Sequence, residues 1–403
     1  MSGRPKHRIP ASYYRGGTSR ALIFNRSDLP PDRDQWAEIF RGTIGSPDPY
    51  GRQLDGMGGG ISSLSKICVV GPATIPGADV DYTFVQVEIK GNFVDYAGNC
   101  GNMSAAIGPY AYDLELIDRD AVVDTVSKTE TTALATVRIH NTNTGKVVAA
   151  TFPVIPGVEA ESSGEFSIDG VSGTASKIQL DFLDPAGSKT RSLFPSSKIV
   201  DIFHDLPGFD GPVEATLIDA ANPAVFISPS TIGLEDATIL PSNLEQCPAL
   251  LEKLDVIRTH AAVRMGMVNT LKEAQQITSI PKICIISPPI THKLLNGKTI
   301  DACEIDLVAR AISVGQPHRA IPITLSLATA AAAKIKGTIV NQAISGKDIV
   351  QSPEIVIGHP SGSLTVGAKF EDNAEIGEIP DLLHVTVFRT ARRLFEGIVF
   401  WKS

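Results

Sequence analysis

The sequence predicts an α+β protein built as two similar halves. Short strands and single helices recur on both sides of a polar stretch, residues 184–196, that contains Pro185, Gly187 and Pro195. Each half presents a turn of small residues carrying a nucleophilic side chain, Cys100 in the first and Ser361 in the second. At 403 residues the chain is long for one core, and two domains is the natural division. We place them at residues 1–188 and 189–403, with the last strand and helix free to pack back on the first domain. The halves share a layout, not an alignable repeat, and the layout suggests a cleft between two related domains.

Residues 9–24 read as two short strands around the turn Arg15-Gly-Gly-Thr-Ser19. Residues 30–41 read as a helix with Asp28 as its cap. A long Gly/Pro-rich loop follows, residues 44–60, of a length that is usually functional inside a compact domain. Residues 65–70 and 80–89 read as strands, the second with clear alternation. A helix over 103–112 follows the Cys100 turn, and strands over 132–140, 146–153 and 178–182 complete the half. The second half reads as a strand-like stretch 213–226 interrupted by Asp219-Ala-Ala-Asn-Pro223, then a long amphipathic helix 243–265. Strands over 282–286 and 305–307 precede an alanine-rich run, 321–336, that suits a buried helix. A strand runs into Gly358-His-Pro-Ser-Gly362, and a last strand near 383–387 leads to a basic amphipathic helix, 389–397.

Composition narrows the function. A formal net charge of -8 argues against nucleic-acid binding, so an anionic substrate must be drawn by local groups. No stretch is long and apolar enough for a transmembrane helix. The five cysteines are scattered and form no CxxC pair, which disfavours a disulfide framework or zinc cluster and fits a reducing, cytoplasmic setting. The acid-free first 27 residues superficially resemble a transit peptide, but their strand-and-turn pattern argues otherwise. Eight histidines without metal-ligand spacing disfavour a metal site.

The segment Asp95-Tyr-Ala-Gly-Asn-Cys100-Gly-Asn-Met-Ser104 is the most informative. It sets a thiol at a helix N-terminus, where unpaired N–H groups and a partial positive charge favour thiolate and bind carboxylates. The flanking Gly98, Asn99, Gly101 and Asn102 suit a tight turn and close approach to a ligand. The competing reading is a buried structural cysteine. Gly56-Met-Gly-Gly-Gly60 fails as a nucleotide loop, since neither the Walker Gly-Lys-Ser/Thr nor the third Rossmann glycine is present. With Ser62 and Ser63, Gly59 and its neighbours can instead form a backbone nest for carboxylates, or act as a connector. Lys66 heads the apolar run Lys-Ile-Cys-Val-Val. It is a solvated strand end unless the strand is buried, where desolvation would make it a usable base. Ser361 and Gly362 lack the frame of a hydrolase nucleophile and suit carboxylate binding better. Asn222, before Pro223, is a binding or a turn residue.

Taken together, these segments resemble the PrpF family of 2-methylaconitate, methylitaconate, aconitate and 4-oxalomesaconate isomerases. The matching pieces are Arg15-Gly-Gly-Thr-Ser19, Gly45-Ser-Pro-Asp-Pro-Tyr50, Gln53-Leu-Asp-Gly-Met-Gly-Gly59, Ser62-Ser-Leu-Ser-Lys66, Asp79-Val-Asp-Tyr82, Gly98-Asn-Cys-Gly-Asn102, Gly358-His-Pro-Ser-Gly362 and Arg389-Thr-Ala-Arg-Arg393. The resemblance implies the diaminopimelate-epimerase-like fold: two similar domains, each a sheet wrapped around a central helix, with the active site in the cleft between them. It implies catalysis without a cofactor, Lys66 and Cys100 as the catalytic pair and Ser19 as a binding serine. Racemases of this fold resemble one another in using two facing cysteines; with Ser361 in the second turn, a two-thiol racemase is disfavoured.

The expected reaction is then allylic proton transfer through a dienolate. It moves or cis/trans-exchanges a C=C bond in a small unsaturated di- or tricarboxylate of the aconitate or 2-methylaconitate type. Lys66 and Cys100 share the acid and base roles, and Gly101 and Asn102 N–H groups and the Ser19 hydroxyl stabilise the anion. A 4-oxalomesaconate-type tautomerase and a non-catalytic carboxylate-binding partner of an aconitase-type enzyme are the alternatives. A homodimer is compatible with the sequence.

Overall fold

The computed structural model describes residues 7–402 except 97–98, 125, 128–130, 278–279, 314, 345–351, 353 and 372–378. The chain forms two compact units: residues 1–181 with 388–403, and residues 182–387.

The first unit opens with an antiparallel hairpin, β1 (Arg8–Gly16) and β2 (Ser19–Asn25), closed by Gly17 and Thr18. Helix α1 (Trp36–Ile44) follows. It starts later than expected, because Asp32 caps a separate short 3-10 turn, Arg33–Gln35, and Asp28 caps neither. β3 (Lys66–Pro72) lies parallel to β2 and antiparallel to β4 (Val80–Val87). Helix α2 (Gly101–Asp113) precedes the antiparallel pair β5 (Ala133–Asn141) and β6 (Lys146–Ile155). Trp36, Ile39, Phe40 and Ile44 of α1 cover Leu22, Phe24, Ile67 and Val85 of the sheet, and Phe24 stacks on Phe40 with centroids 5.8 Å apart.

Helix α2 is the centre of this unit. It packs on β1, β5 and β6, and every residue from Met103 to Tyr112 is buried. Small residues make that enclosure feasible. A Cβ on Gly108 would stand 2.6 Å from the Phe152 ring, so only glycine lets β6 come this close.

In the second unit β8 (Val213–Ala220) and β9 (Asn222–Ile227) form a hairpin, numbered after β7 (Ile178–Leu183), the strand within which the break between units falls. The expected single helix 243–265 is two pieces. A short turn, Pro241–Glu245, ends before Pro248, and Pro248 then opens α3 (Pro248–Arg264) as its first residue. β10 (Lys282–Ser287) pairs parallel with β9 and antiparallel with β11 (Leu307–Ser313), a longer strand than residues 305–307 suggested. The alanine-rich α4 (Ile323–Lys334) is buried from Leu325 to Ala333 and packs on β8, β9 and β13 (Gly362–Phe370), the partner of β12 (Glu354–His359). Leu217, Val225, Ile283 and Ile285 meet Leu254 and Ile257 of α3 in its main core.

After β14 (Leu382–Arg389) the expected basic helix is absent. Residues Ala391–Phe400 form strand β15, which pairs antiparallel along the whole length of β1 and belongs to the first unit. No helix among the described residues is long and apolar enough to cross a membrane.

Candidate active site

Cys100 is the N-cap of α2, in extended backbone, and its side chain makes no capping hydrogen bond. The carbonyl of Cys100 accepts the first helical bond, from Ser104 N at 3.0 Å. The N–H groups of Gly101 and Asn102 point out of the helix start without an intrahelical partner. The expected thiol at a helix N-terminus is therefore what the chain builds, half-buried and free of a disulfide. Gly98 lies outside the described residues. Asn99 is half-buried, and its side-chain oxygen is buried without a hydrogen-bond partner.

Lys66 opens β3 and is 8% exposed. Register explains its setting, since Lys66 sits beside Ala21 of β2 and opposite Gln86 of β4. Its Nζ donates to Gln86 Oε1 at 2.5 Å and lies 4.9 Å from the centre of the Phe84 ring. Gln86 is held in that orientation because its Nε2 donates to the Ser65 carbonyl at 2.8 Å and the Ser62 carbonyl at 3.2 Å. The solvated strand-end lysine is thus not what forms; the amine is buried and held.

Cys68, two residues along β3, feels both groups. Burial pushes its thiol far up, nearby Cys100 adds to that, and the Lys66 charge opposes it. Cys68 and Cys284 are fully buried thiols held protonated, whereas Cys100 is half-buried. Of these, Cys100 has the setting of a reactive cysteine.

The Gly-rich loop is an ordered wall beside Lys66. Gln53, 1% exposed, donates to Ser46 Oγ at 2.9 Å and Ser65 Oγ at 2.7 Å and accepts from Gly60 N at 2.9 Å. The Asp48 carboxylate accepts from the N–H groups of Tyr50, Arg52 and Gln53. Gly59 packs against Leu64, and Ser62 and Ser63 lie on the 3-10 turn Ser62–Leu64 that leads directly into Lys66. The connector reading does not hold for a loop pinned this way.

Ser19 is buried at the start of β2, across the turn from Gly16. Asn102 fills that turn. Its Nδ2 donates to Thr18 Oγ1 at 3.1 Å and its Oδ1 accepts from Arg389 Nε at 3.2 Å. Gly17 has φ +51, and a Cβ there would stand 2.2 Å from Asn102 Oδ1. The Asn102 side chain is therefore a brace, leaving its backbone N–H for a ligand. Arg15 completes the support, donating to the Gly17 and Thr390 carbonyls and to Thr390 Oγ1. Sequence reading missed Gln86, Gln53 and Arg389. The signal for the last two lay in the segments Gln53–Gly59 and Arg389–Arg393, matched without a role for either residue.

The remaining expected residues lie in the second unit. Asn222 is half-buried at the β8–β9 turn, opposite Ala220. Ser361 sits in the tight turn between β12 and β13 and not at a helix N-terminus. Its hydroxyl donates to the Arg319 carbonyl at 2.5 Å, and Gly362 pairs with His359. The segment entering α4, which ends at Pro322, holds the place in this unit that the Cys100 turn holds in the first. Among the described residues no cluster of His, Cys, Asp and Glu suits a metal ion.

The model of the PrpF protein family matches residues 6–402. The 2-methyl-aconitate isomerase of Shewanella oneidensis is 38% identical over 98% of this chain and 97% of its own length. The 3-methylitaconate isomerase of Eubacterium barkeri is 36% identical over 98% and 97%. A crystal structure of methylitaconate-delta-isomerase superposes with a TM-score of 0.86 at 34% identity, covering 99% of this chain and 96% of that one. Fold and relatives together define an isomerase of the class to which methylitaconate-delta-isomerase belongs. Within it, the chain belongs to the PrpF family.

Proposed function

We propose that the chain isomerises a small unsaturated di- or tricarboxylate of the 2-methylaconitate or aconitate type by allylic proton transfer, without a cofactor. The observation that carries this is a buried amine at the head of β3 and a thiol at the N-cap of α2, a helix that packs against that strand. Two such groups of different chemistry suit a step that removes a proton at one carbon and returns one at another. A two-thiol racemase would need a second cysteine, and the segment entering α4, Gln316 to Pro322, carries none.

One of Lys66 and Cys100 takes the proton from the carbon next to the double bond. The electron pair spreads through the C=C bond onto a carboxylate as a dienolate. The other group delivers a proton to the far allylic carbon, and the double bond has moved; rotation before proton return gives cis/trans exchange. No other atom enters or leaves. The developing charge is met by the Gly101 and Asn102 N–H groups and the positive end of α2. The hydroxyl of Ser19, buried at the start of β2, is an added donor.

The test is incubation of the purified protein in deuterated buffer with a chelator and, in turn, cis-aconitate, trans-aconitate and 2-methylaconitate, followed by proton NMR. Double-bond migration or cis/trans exchange with one of them is expected. No product and no deuterium uptake with any would overturn the reading.

A further inference from the structure

We propose that Asn143 is a positioning residue: its side-chain amide ties the strand facing Lys66 to the segment that leads to Cys100, a role that rests on the proposed parts of those two residues. β4 shares one edge between two neighbours. Val80 to Tyr82 pair parallel with Ile139 to Asn141 of β5, and Gln86 and Val87 pair antiparallel with Asp95 and Val94. Phe84 lies between the two ladders, and a side chain fills that gap. Asn143, half-buried in the turn between β5 and β6, accepts from Phe84 N at 2.8 Å. Its Nδ2 donates to the Phe84 carbonyl at 2.9 Å and to the Tyr96 carbonyl at 2.6 Å. Asn141 Nδ2 donates to Asn143 Oδ1 at 3.2 Å, so both donors and both acceptor positions of the amide are used. The turn itself is fixed, because the buried Asn141 accepts from Thr144 N at 3.1 Å and Thr144 Oγ1 at 2.8 Å.

Both ends of this link lead to the site. The Phe84 ring centre lies 4.9 Å from Lys66 Nζ, and Gln86, farther along the same strand, accepts from that amine. On the other side the ladder with β4 ends at Asp95, and the chain goes on through Tyr96 toward Cys100 at the start of α2. Asn143 therefore holds the fork at which the thiol-bearing segment parts from the strand that faces the amine. Taking a proton at one carbon and returning one at another needs the two groups at a fixed separation. Misplacing a reacting group by about 1 Å costs on the order of a hundredfold.

The test compares wild type, Asn143→Ala and Asn143→Asp in deuterated buffer with cis-aconitate, trans-aconitate and 2-methylaconitate, followed by proton NMR. Two rates are read: deuterium entering unconverted substrate, and conversion. Asn143→Asp keeps the shape of the side chain and the acceptor for Phe84 N–H, and loses both donors. In both variants conversion is expected to fall roughly a hundredfold and the ratio of exchange to conversion to rise about tenfold or more, because one group still takes the proton while the other misses the far carbon. A wild-type ratio in either variant overturns the proposal, since the amide would then serve the fold alone. If Asn143→Ala does not fold, Asn143→Asp decides. Amide hydrogen exchange of the same proteins without substrate gives a second reading. Exchange faster by roughly tenfold is expected at residues 84–86 and 104–106 in Asn143→Asp, with α1 at its wild-type rate. Unchanged exchange at both segments overturns the link. If neither variant folds, the wild-type Phe84 amide decides: protection matching that of Val85 supports the link, and free exchange contradicts it. A wild type that converts none of the three acids fails the isomerase reading, and the substrate-free comparison then decides the link by itself.

Discussion

Gln86 holds the Lys66 side chain in place. Both Gln86 donors are fixed on the carbonyls of Ser62 and Ser65, which leaves its oxygen facing the ammonium. Hydrogen bonds to charged groups contribute about 1.5–3 kcal/mol, so Gln86→Leu is expected to lower kcat by on the order of tenfold to a hundredfold. Steady-state kinetics of a variant with unchanged thermal stability check this, and an unchanged kcat would contradict it. Lys66 was recognisable in the sequence; its partner was not. Gln86 lies on another strand, and nothing local says that the register sets it opposite. The Cys100 turn was legible for the opposite reason. A helix start is written in adjacent residues, and glycine and asparagine around a thiol announce it. Arg389 reaches Asn102 from near the other end of the sequence, a contact no local pattern encodes.

Helix α2 shows how an element can suit its place while breaking the ordinary rules. It holds Gly108 and Pro109 in its interior, and both are poor helix residues. Propensity alone says that Gly108→Ala stabilises by about 1 kcal/mol. Packing says otherwise, because the new Cβ would meet Phe152 at 2.6 Å and Ala150 at 3.1 Å. Overpacking of this kind costs about 1–3 kcal/mol, so the variant is expected to lose stability in urea unfolding. A gain would show that β6 can move aside. The same enclosure explains why α2 and α4 were found by composition and not by periodicity: helices buried on most sides have no polar face to betray them. The last strand failed for a related reason. Its exposed, basic residues alternate poorly, and its partner is β1 at the opposite end of the chain. Without that partner in view, residues 391–400 carry no clear strand signal. At the other misread boundaries the start signals sit elsewhere: Asp32 caps the turn before α1, and Pro248 opens α3 as its first residue.

At the scale of the whole molecule, the two sheet-and-helix units were legible because both repeat one programme of strands around a buried helix. The last strand belongs to the first unit, and the break between the units falls within β7, between residues 181 and 182. The second unit also carries a pH response. His292 is held below the ordinary value of 6.5, chiefly by burial. His292 Nδ1 bonds the Ile290 carbonyl at 2.7 Å and so carries the proton, leaving Nε2 buried without a partner. A histidine with a lowered folded pKa binds protons more readily when unfolded. Its contribution to stability is complete above pH 6.5 and is lost as pH falls below that value. Urea midpoints measured from about pH 7.5 down to about pH 5 are expected to fall, and to fall less in His292→Asn. A flat wild-type profile would contradict this.

The central claim is that Lys66 and Cys100 together move the allylic proton. The measurement that tests it most directly is solvent-deuterium incorporation into the converted substrate, followed by NMR in wild type, Lys66→Ala and Cys100→Ala. Each replacement is expected to cut both deuterium uptake and double-bond movement by on the order of 100-fold or more, with the fold intact by circular dichroism. Near-wild-type conversion by either variant would contradict the account.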